Sequence, residues 1–233
     1  METDFHIAVD EYQNFAQEEV SMTLQKYGNP TSSTILLQMV DDHDLAGIES
    51  EIAEIHRLTE RDFCLIAVKV QDWNNDLSPW PAPAVFGKEG FGGGAPEIIE
   101  HVLEICCEPD KTYIIGGYSL SALFALWAAY QTDIFAAVAA ASPSMWFPGF
   151  MEYMKDNKPD TKCVYLSLGD KEEKTRNPVM ATVGDKTREV KEILEEQEIE
   201  TILEWNQGNH FKDADVRTAK GFVWAMNQIC MMR

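Results

Sequence analysis

The sequence predicts an α/β fold in which a mainly parallel central sheet carries helices on both faces. Strand-length apolar runs such as Thr34-Ile-Leu-Leu-Gln-Met-Val40 and Phe63-Cys-Leu-Ile-Ala-Val-Lys-Val70 are nearly continuous, as strands buried on both sides require. Between them lie segments whose apolar residues recur every three or four positions, so strand and helix alternate and crossover helices link parallel strands. A chain of 233 residues supports one sizeable core, read here as a single domain over 1–233.

A short strand is expected at His6-Ile-Ala-Val9, followed by polar sequence and the break at Gly28-Asn-Pro30. After the strand 34–40 comes Asp41-Asp-His-Asp44, and then Leu45, Ile48, Ile52, Ile55 and Leu58 form a helical stripe, with Asp44 read as its N-cap. Residues 71–95 hold Trp73, Trp80, three prolines and five glycines without periodicity, and a structureless loop of that length is usually functional. A helix follows Pro96, then a strand at 112–116 and a segment of helix formers to Tyr130. Phe135-Ala-Ala-Val-Ala-Ala-Ala141 is read as a strand although alanine favours helix. Strands at 163–168 and 201–205 and helices at 187–197 and 214–229 complete the alternation.

The formal net charge of −20 argues against nucleic acid or an anionic membrane as partner. The first residues carry acid where a secretion signal carries base, and no apolar run reaches membrane-spanning length. Five cysteines without metal-ligand spacing read as reduced thiols of a cytoplasmic protein, and neither cofactor nor metal is expected. Asp72-x-Asn74-x-Asp76 begins like a calcium loop, but Leu77 and Pro83 stand where glycine and glutamate are needed. His6, His56 and His101 are read as surface or packing residues.

The chemistry gathers at the strand ends. In Ile114-Ile-Gly-Gly-Tyr-Ser-Leu-Ser121, a strand meets a sharp turn and a helix, with Ser119 at the apex and Gly117 leaving room behind it. This is the form of a nucleophile elbow. Functional groups of such sheets collect beyond the carboxyl ends of the strands. There stand Ser119 after the strand 112–116, Asp170, Glu172 and Glu173 after 163–168, and His210 after 201–205. Serine, acid, histidine is the α/β-hydrolase order. The imidazole would take the serine proton, and an acid must hold its tautomer. Glu172 is the first choice of acid and Asp170 the second; register along one turn decides. Trp146 and Tyr118 are candidate substrate-binding side chains, with Trp80 near the same strand ends.

The segments Gly117-Tyr-Ser-Leu-Ser121, Ser142-Pro-Ser-Met-Trp146, Leu168-Gly-Asp-Lys-Glu172, Gly208-Asn-His210 and Asp76-Leu-Ser-Pro-Trp-Pro81 resemble an α/β-hydrolase family of esterases. That family includes the enterochelin esterases and esterase D. The similarity runs over roughly 34–228 and implies an ester-cleaving serine hydrolase with Ser119 as nucleophile, His210 as base and an acid in the turn 170–173. Backbone N–H groups of Leu120 and of Asp42 or His43 would form the oxyanion hole. Ser121 stands where the elbow pattern has glycine, and Asp41-Asp-His-Asp44 stands where the family often has Asp-Gly or His-Gly. The same residues would serve an acyltransferase, and an inactive fold acting as a binding module is the alternative from another class. Without a long insertion between 142 and 162, an open pocket is expected.

Overall fold

A computed structural model of the chain describes residues 22–232. The strand expected at 6–9 lies outside them. In chain order the elements are β1 (Thr23–Gly28), β2 (Thr34–Val40), α1 (Asp42–Leu58), β3 (Cys64–Lys69), α2 (Trp73–Asp76), β4 (Pro81–Ala82), β5 (Phe91–Gly92), α3 (Ala95–Ile105), β6 (Thr112–Tyr118), α4 (Leu120–Ala128), β7 (Phe135–Ala141), α5 (Phe150–Asp156), β8 (Cys163–Gly169), α6 (Val183–Glu196), β9 (Glu200–Asn206) and α7 (Ala214–Met231).

Seven strands form one sheet in the order β1-β3-β2-β6-β7-β8-β9. Only β1 is antiparallel, pairing Thr23 with Lys69 at the edge; the remaining pairs are parallel. One apolar core lies beneath α3, α4 and α6, and a second lies beneath α1 and α7 on the opposite face. The chain winds from β2 outward to β3, then crosses back over β2 to β6 and winds the other way. The carboxyl ends of β2 and β6 therefore flank the topological switch point, where α/β sheets open a crevice.

The alanines of β7 are there for close approach. This strand sits mid-sheet, and a Cβ on Gly221 of α7 would come within 3.3 Å of the Ala139 methyl. Small residues let the helix lie directly on the sheet, which overrides alanine's helical preference. The stretch 71–95 carries more structure than its sequence suggests: α2 is capped by Asp72, and β4 and β5 pair as a two-stranded ribbon. At the start of α1 the N-cap is Asp41 and not Asp44, because two acids three residues apart close a capping box. Asp41 accepts from the Asp44 N–H at 2.8 Å, and Asp44 accepts from the Asp41 N–H at 3.4 Å.

Candidate active site

Ser119 stands between β6 and α4 with φ 59° and ψ −117°, a backbone conformation costly for any residue with a side chain. Its neighbours hold it there. The Ser119 N–H donates to the Ala141 carbonyl at 3.1 Å, and the Ser144 N–H donates to the Ser119 carbonyl at 3.1 Å. Behind the turn there is no space for a side chain at 117, since a Cβ on Gly117 would lie 2.1 Å from Ser121 Oγ. Ser121 is buried, and its hydroxyl donates to the Met39 carbonyl at 2.8 Å. A serine thus stands where the elbow pattern has its second glycine, and it ties α4 to the end of β2.

The structure brings three of the expected residues into one line. Ser119 Oγ is 3.0 Å from His210 Nε2, and His210 Nδ1 is 2.7 Å from Glu172 Oε2. With Nδ1 carrying the proton and donating it to the Glu172 carboxylate, Nε2 is left as an acceptor for the serine proton. Glu172 Oε1 accepts three further bonds, from the Gly169 N–H at 2.7 Å, Ser142 Oγ at 2.8 Å and Arg217 Nη1 at 2.7 Å. Burial pushes the Glu172 pKa up, but hydrogen bonds from His210, Gly169 and Ser142 together with the imidazole charge outweigh it. The carboxyl is held below its ordinary value.

The two other acids of that turn point elsewhere. Asp170 Oδ1 accepts from the Gly208 N–H at 2.8 Å, bracing the loop that carries His210. Glu173 turns toward α6, 3.3 Å from Arg188.

Sequence reasoning passed over two residues here. Arg217 on α7 is 1% exposed, and besides Glu172 it reaches Tyr118 Oη and Ser142 Oγ, each at 3.1 Å, and the Asn209 carbonyl at 3.0 Å. Its signal was a lone arginine within an apolar helix stripe, beside Ala219 and Phe222. Ser142, buried at φ 45°, is a second strained serine at a strand end. It belongs to a segment already singled out, though without a role for that hydroxyl.

Tyr118 donates its hydroxyl to the His210 carbonyl at 2.7 Å, with its ring 5.1 Å from the imidazole. It also lines a cavity of about 750 Å³ that opens beside Ser119 and His210. Trp146 is buried against Phe86 and Phe91 and lines a separate cavity of about 240 Å³ on the other side of His210. Trp80 packs with Phe147, Phe150 and Tyr153 and gives its indole N–H to the Pro148 carbonyl at 2.9 Å, as a core residue does.

Leu120 and Asp42 are the first residues of α4 and α1, which start from the ends of the adjacent strands β6 and β2. Asp41 takes up the N–H groups of Asp44 and Leu45, and those of Asp42 and His43 have no partner among the described residues. Helix N-termini of this kind favour negative charge. The Asp42 carboxylate is 85% exposed and lies 2.5 Å from Lys69 Nζ, which offsets its charge. The assembly can pass a proton from serine to imidazole and offers backbone donors nearby.

No protein-family model matches the chain. It is 24% identical over 151 residues to the uncharacterized protein YbbA of Bacillus subtilis (strain 168), a match covering 58% of this chain and 60% of that relative. Among solved structures, an IroE-like serine hydrolase from Shewanella oneidensis superposes with a TM-score of 0.69 at 14% identity, over 87% of this chain and 75% of that one. The enterobactin esterase FES from Shigella flexneri, in the presence of enterobactin, gives 0.68 at 13% identity over 98% of this chain and 60% of that one. The Pyrococcus furiosus esterase Pf2001 gives 0.61 at 12%, covering 96% and 93%. At these identities the likeness is one of architecture, and that architecture is the α/β-hydrolase fold.

Proposed function

We propose that this protein is a serine hydrolase that cleaves carboxylic esters of small molecules through an acyl-enzyme on Ser119. One observation carries the reading: a strained serine at a strand–helix turn lies 3.0 Å from an imidazole whose other nitrogen lies 2.7 Å from a buried carboxylate. Ser119 Oγ attacks the ester carbonyl as its proton passes to His210 Nε2, and Glu172 steadies the imidazolium. The N–H groups of Leu120 and of Asp42 or His43 receive the oxyanion. His210 then gives the proton to the departing alkoxide, and water repeats the sequence on the acyl-enzyme. The two cavities beside His210 would separate the acyl and alcohol parts, with Tyr118 along the larger and Trp146 along the smaller.

The structural likeness to esterases supports this class of chemistry. Seven of the nine strands among the described residues join in one continuous sheet, which supports reading the chain as one domain. All five cysteines are free thiols, in keeping with a cytoplasmic site of action. No helix among the described residues is long and apolar enough to cross a membrane.

Short-chain nitrophenyl esters and a fluorophosphonate probe test the proposal together. Wild type should turn over the esters and take up the probe, and Ser119→Ala should lose both signals. A wild-type protein that neither labels nor turns over would make the fold a binding module. Transfer of the acyl group to added alcohol or amine in preference to water would make it an acyltransferase.

A further inference from the structure

The cavity of about 750 Å³ beside Ser119 has an unusual floor. It sits at the switch point between β2 and β6, walled by the first turns of α1 and α7. Asp44, Gly47 and Glu51 follow one another at spacings of three and four, so they form one stripe of α1 facing it. Asp215 faces it from α7 and Gln38 from β2, while Trp73 forms part of its wall.

The polar groups at the bottom are acceptors in search of donors. Gln38 is 3% exposed and Glu51 4% exposed. The Gln38 Nε2 amide donates to Glu51 Oε2 at 3.2 Å, which leaves the Gln38 Oε1 carbonyl and the second Glu51 oxygen without a hydrogen-bond partner among the described residues. Buried acceptors left unpaired each carry a desolvation penalty. No lysine or arginine is among the described residues lining the cavity, and its two histidines are His43 and the His210 of the active site. The acids oppose one another. Burial first, then the charges of Asp44 and Asp215, push the Glu51 carboxyl up to about 8 against a bond from Gln38; burial and Asp41 push Asp44 up to about 6. Asp44, Glu51 and Asp215 do not converge as a metal's ligand set among the described residues. What suits this wall is an organic group with several N–H donors and a positive charge.

We propose that this cavity is a cation subsite, in which Gln38, Glu51, Asp44 and Asp215 receive a primary ammonium group on the ester cleaved at Ser119. An ammonium offers three N–H donors. Two go to the unpartnered oxygens of Gln38 and Glu51, the Glu51 carboxyl releasing its proton to solvent as the ammonium takes its place, and the positive charge then offsets the acids around it. Trp73 offers its ring to the methylene stem or the cation. A quaternary ammonium would leave both oxygens unpaired, so the subsite favours primary amines. Gly47 keeps the passage open, since a Cβ there meets nothing within 4 Å. The net charge of −20 would draw such substrates in from solution. The assignment rests on the ester-hydrolase reading above and adds the class of substrate.

The test pairs nitrophenyl esters of ω-amino acids, from glycine upward in chain length, with neutral isosteres carrying methyl in place of ammonium. Near neutral pH, wild type should prefer the ammonium ester of the best length by about tenfold or more in kcat/KM. That ratio should fall toward one in Glu51→Gln, and also in Gly47→Met, which fills the passage on a helix that tolerates methionine well. Calorimetric titration of Ser119→Ala with n-butylammonium and with n-butanol reads the subsite without turnover. Saturable binding of the amine alone, lost in the double variant with Glu51→Gln, supports the proposal whether or not esters are cleaved. Equal rates on both ester series overturn the subsite and leave the hydrolase reading standing. Absence of amine binding overturns it as well, and failure of hydrolysis and of fluorophosphonate labelling would sink the hydrolase reading separately.

Discussion

Arg217 Nη1 lies 2.7 Å from Glu172 Oε1, and the two side chains are 1% and 3% exposed. The same guanidinium reaches the Asn209 carbonyl next to His210, so one buried cation fixes both the carboxylate and the loop that carries the imidazole. Arg217→Met leaves the buried Glu172 carboxylate without its arginine counter-charge and should cost about 3–5 kcal/mol in thermal or denaturant melts. Arg217→Lys keeps the charge but loses the fork, so kcat should drop while KM holds. A lysine variant with wild-type kcat would show that the fork does not position the site.

The three acids of the 170–173 turn should separate cleanly. Glu172→Gln removes the carboxylate facing His210 Nδ1 and should lower kcat by about three to four orders of magnitude. Asp170→Asn weakens a brace on Gly208 and should cost roughly tenfold or less. Glu173→Gln, directed at Arg188 on the surface, should leave kcat/KM close to wild type. Three equal losses in kcat/KM would remove Glu172 from its assigned role.

The displaced carboxyl pKa values predict how stability varies with pH. Glu51 and Asp44 are raised above their ordinary 4.5 and 3.8, to about 8 and about 6. Groups raised on folding contribute stability that is fully present below the unfolded values and is lost as pH rises through the folded ones. Glu172 is lowered, so its contribution is present above 4.5 and lost as pH falls through its depressed value. The melting temperature should therefore peak in mildly acidic buffer and decline between pH 5 and 8, each tenfold gain in the proton affinity of Glu51 on folding corresponding to about 1.4 kcal/mol. Glu51→Gln should flatten the decline. Parallel melting curves for the two proteins across that range would contradict it.

Ser121 invites the reverse of the usual expectation. Glycine is the pattern residue there, yet Ser121→Gly removes the buried bond to the Met39 carbonyl and places glycine in the first turn of α4. A loss of about 1–2 kcal/mol in denaturant melts is expected, with esterase activity retained. A glycine variant as stable as wild type would show that the tie to β2 contributes little.

Much of this was legible in the residues. The buried strands from Thr34 onward and the positions of Ser119, His210 and the acidic turn follow from apolar runs and from what stands at their ends. β1 was not legible. Thr23-Leu-Gln-Lys-Tyr-Gly28 is a half-exposed edge strand whose place is set by pairing with β3, a tertiary fact without a local pattern. The orientation of Glu172 depends on the Gly169 N–H and Arg217, 45 residues away in sequence. Gln38 lies within an apolar strand run and Glu51 beside the apolar stripe of a helix, and neither carries a local signal of burial. Only the folding of β2 against α1 buries them together.

The backbone of Ser119 sets folding against chemistry. At φ 59° and ψ −117°, any side chain at that position is held against its preference. Two inactive proteins, Ser119→Ala and Ser119→Gly, lack the hydroxyl alike and differ in whether that preference is still violated. The glycine protein should be the more stable by about 1 kcal/mol, because relief of the turn exceeds the extra freedom glycine gives the unfolded chain. Selection for thermal stability alone would therefore drift toward erasing the proposed nucleophile, and a laboratory screen of this protein for heat resistance needs activity as a second gate.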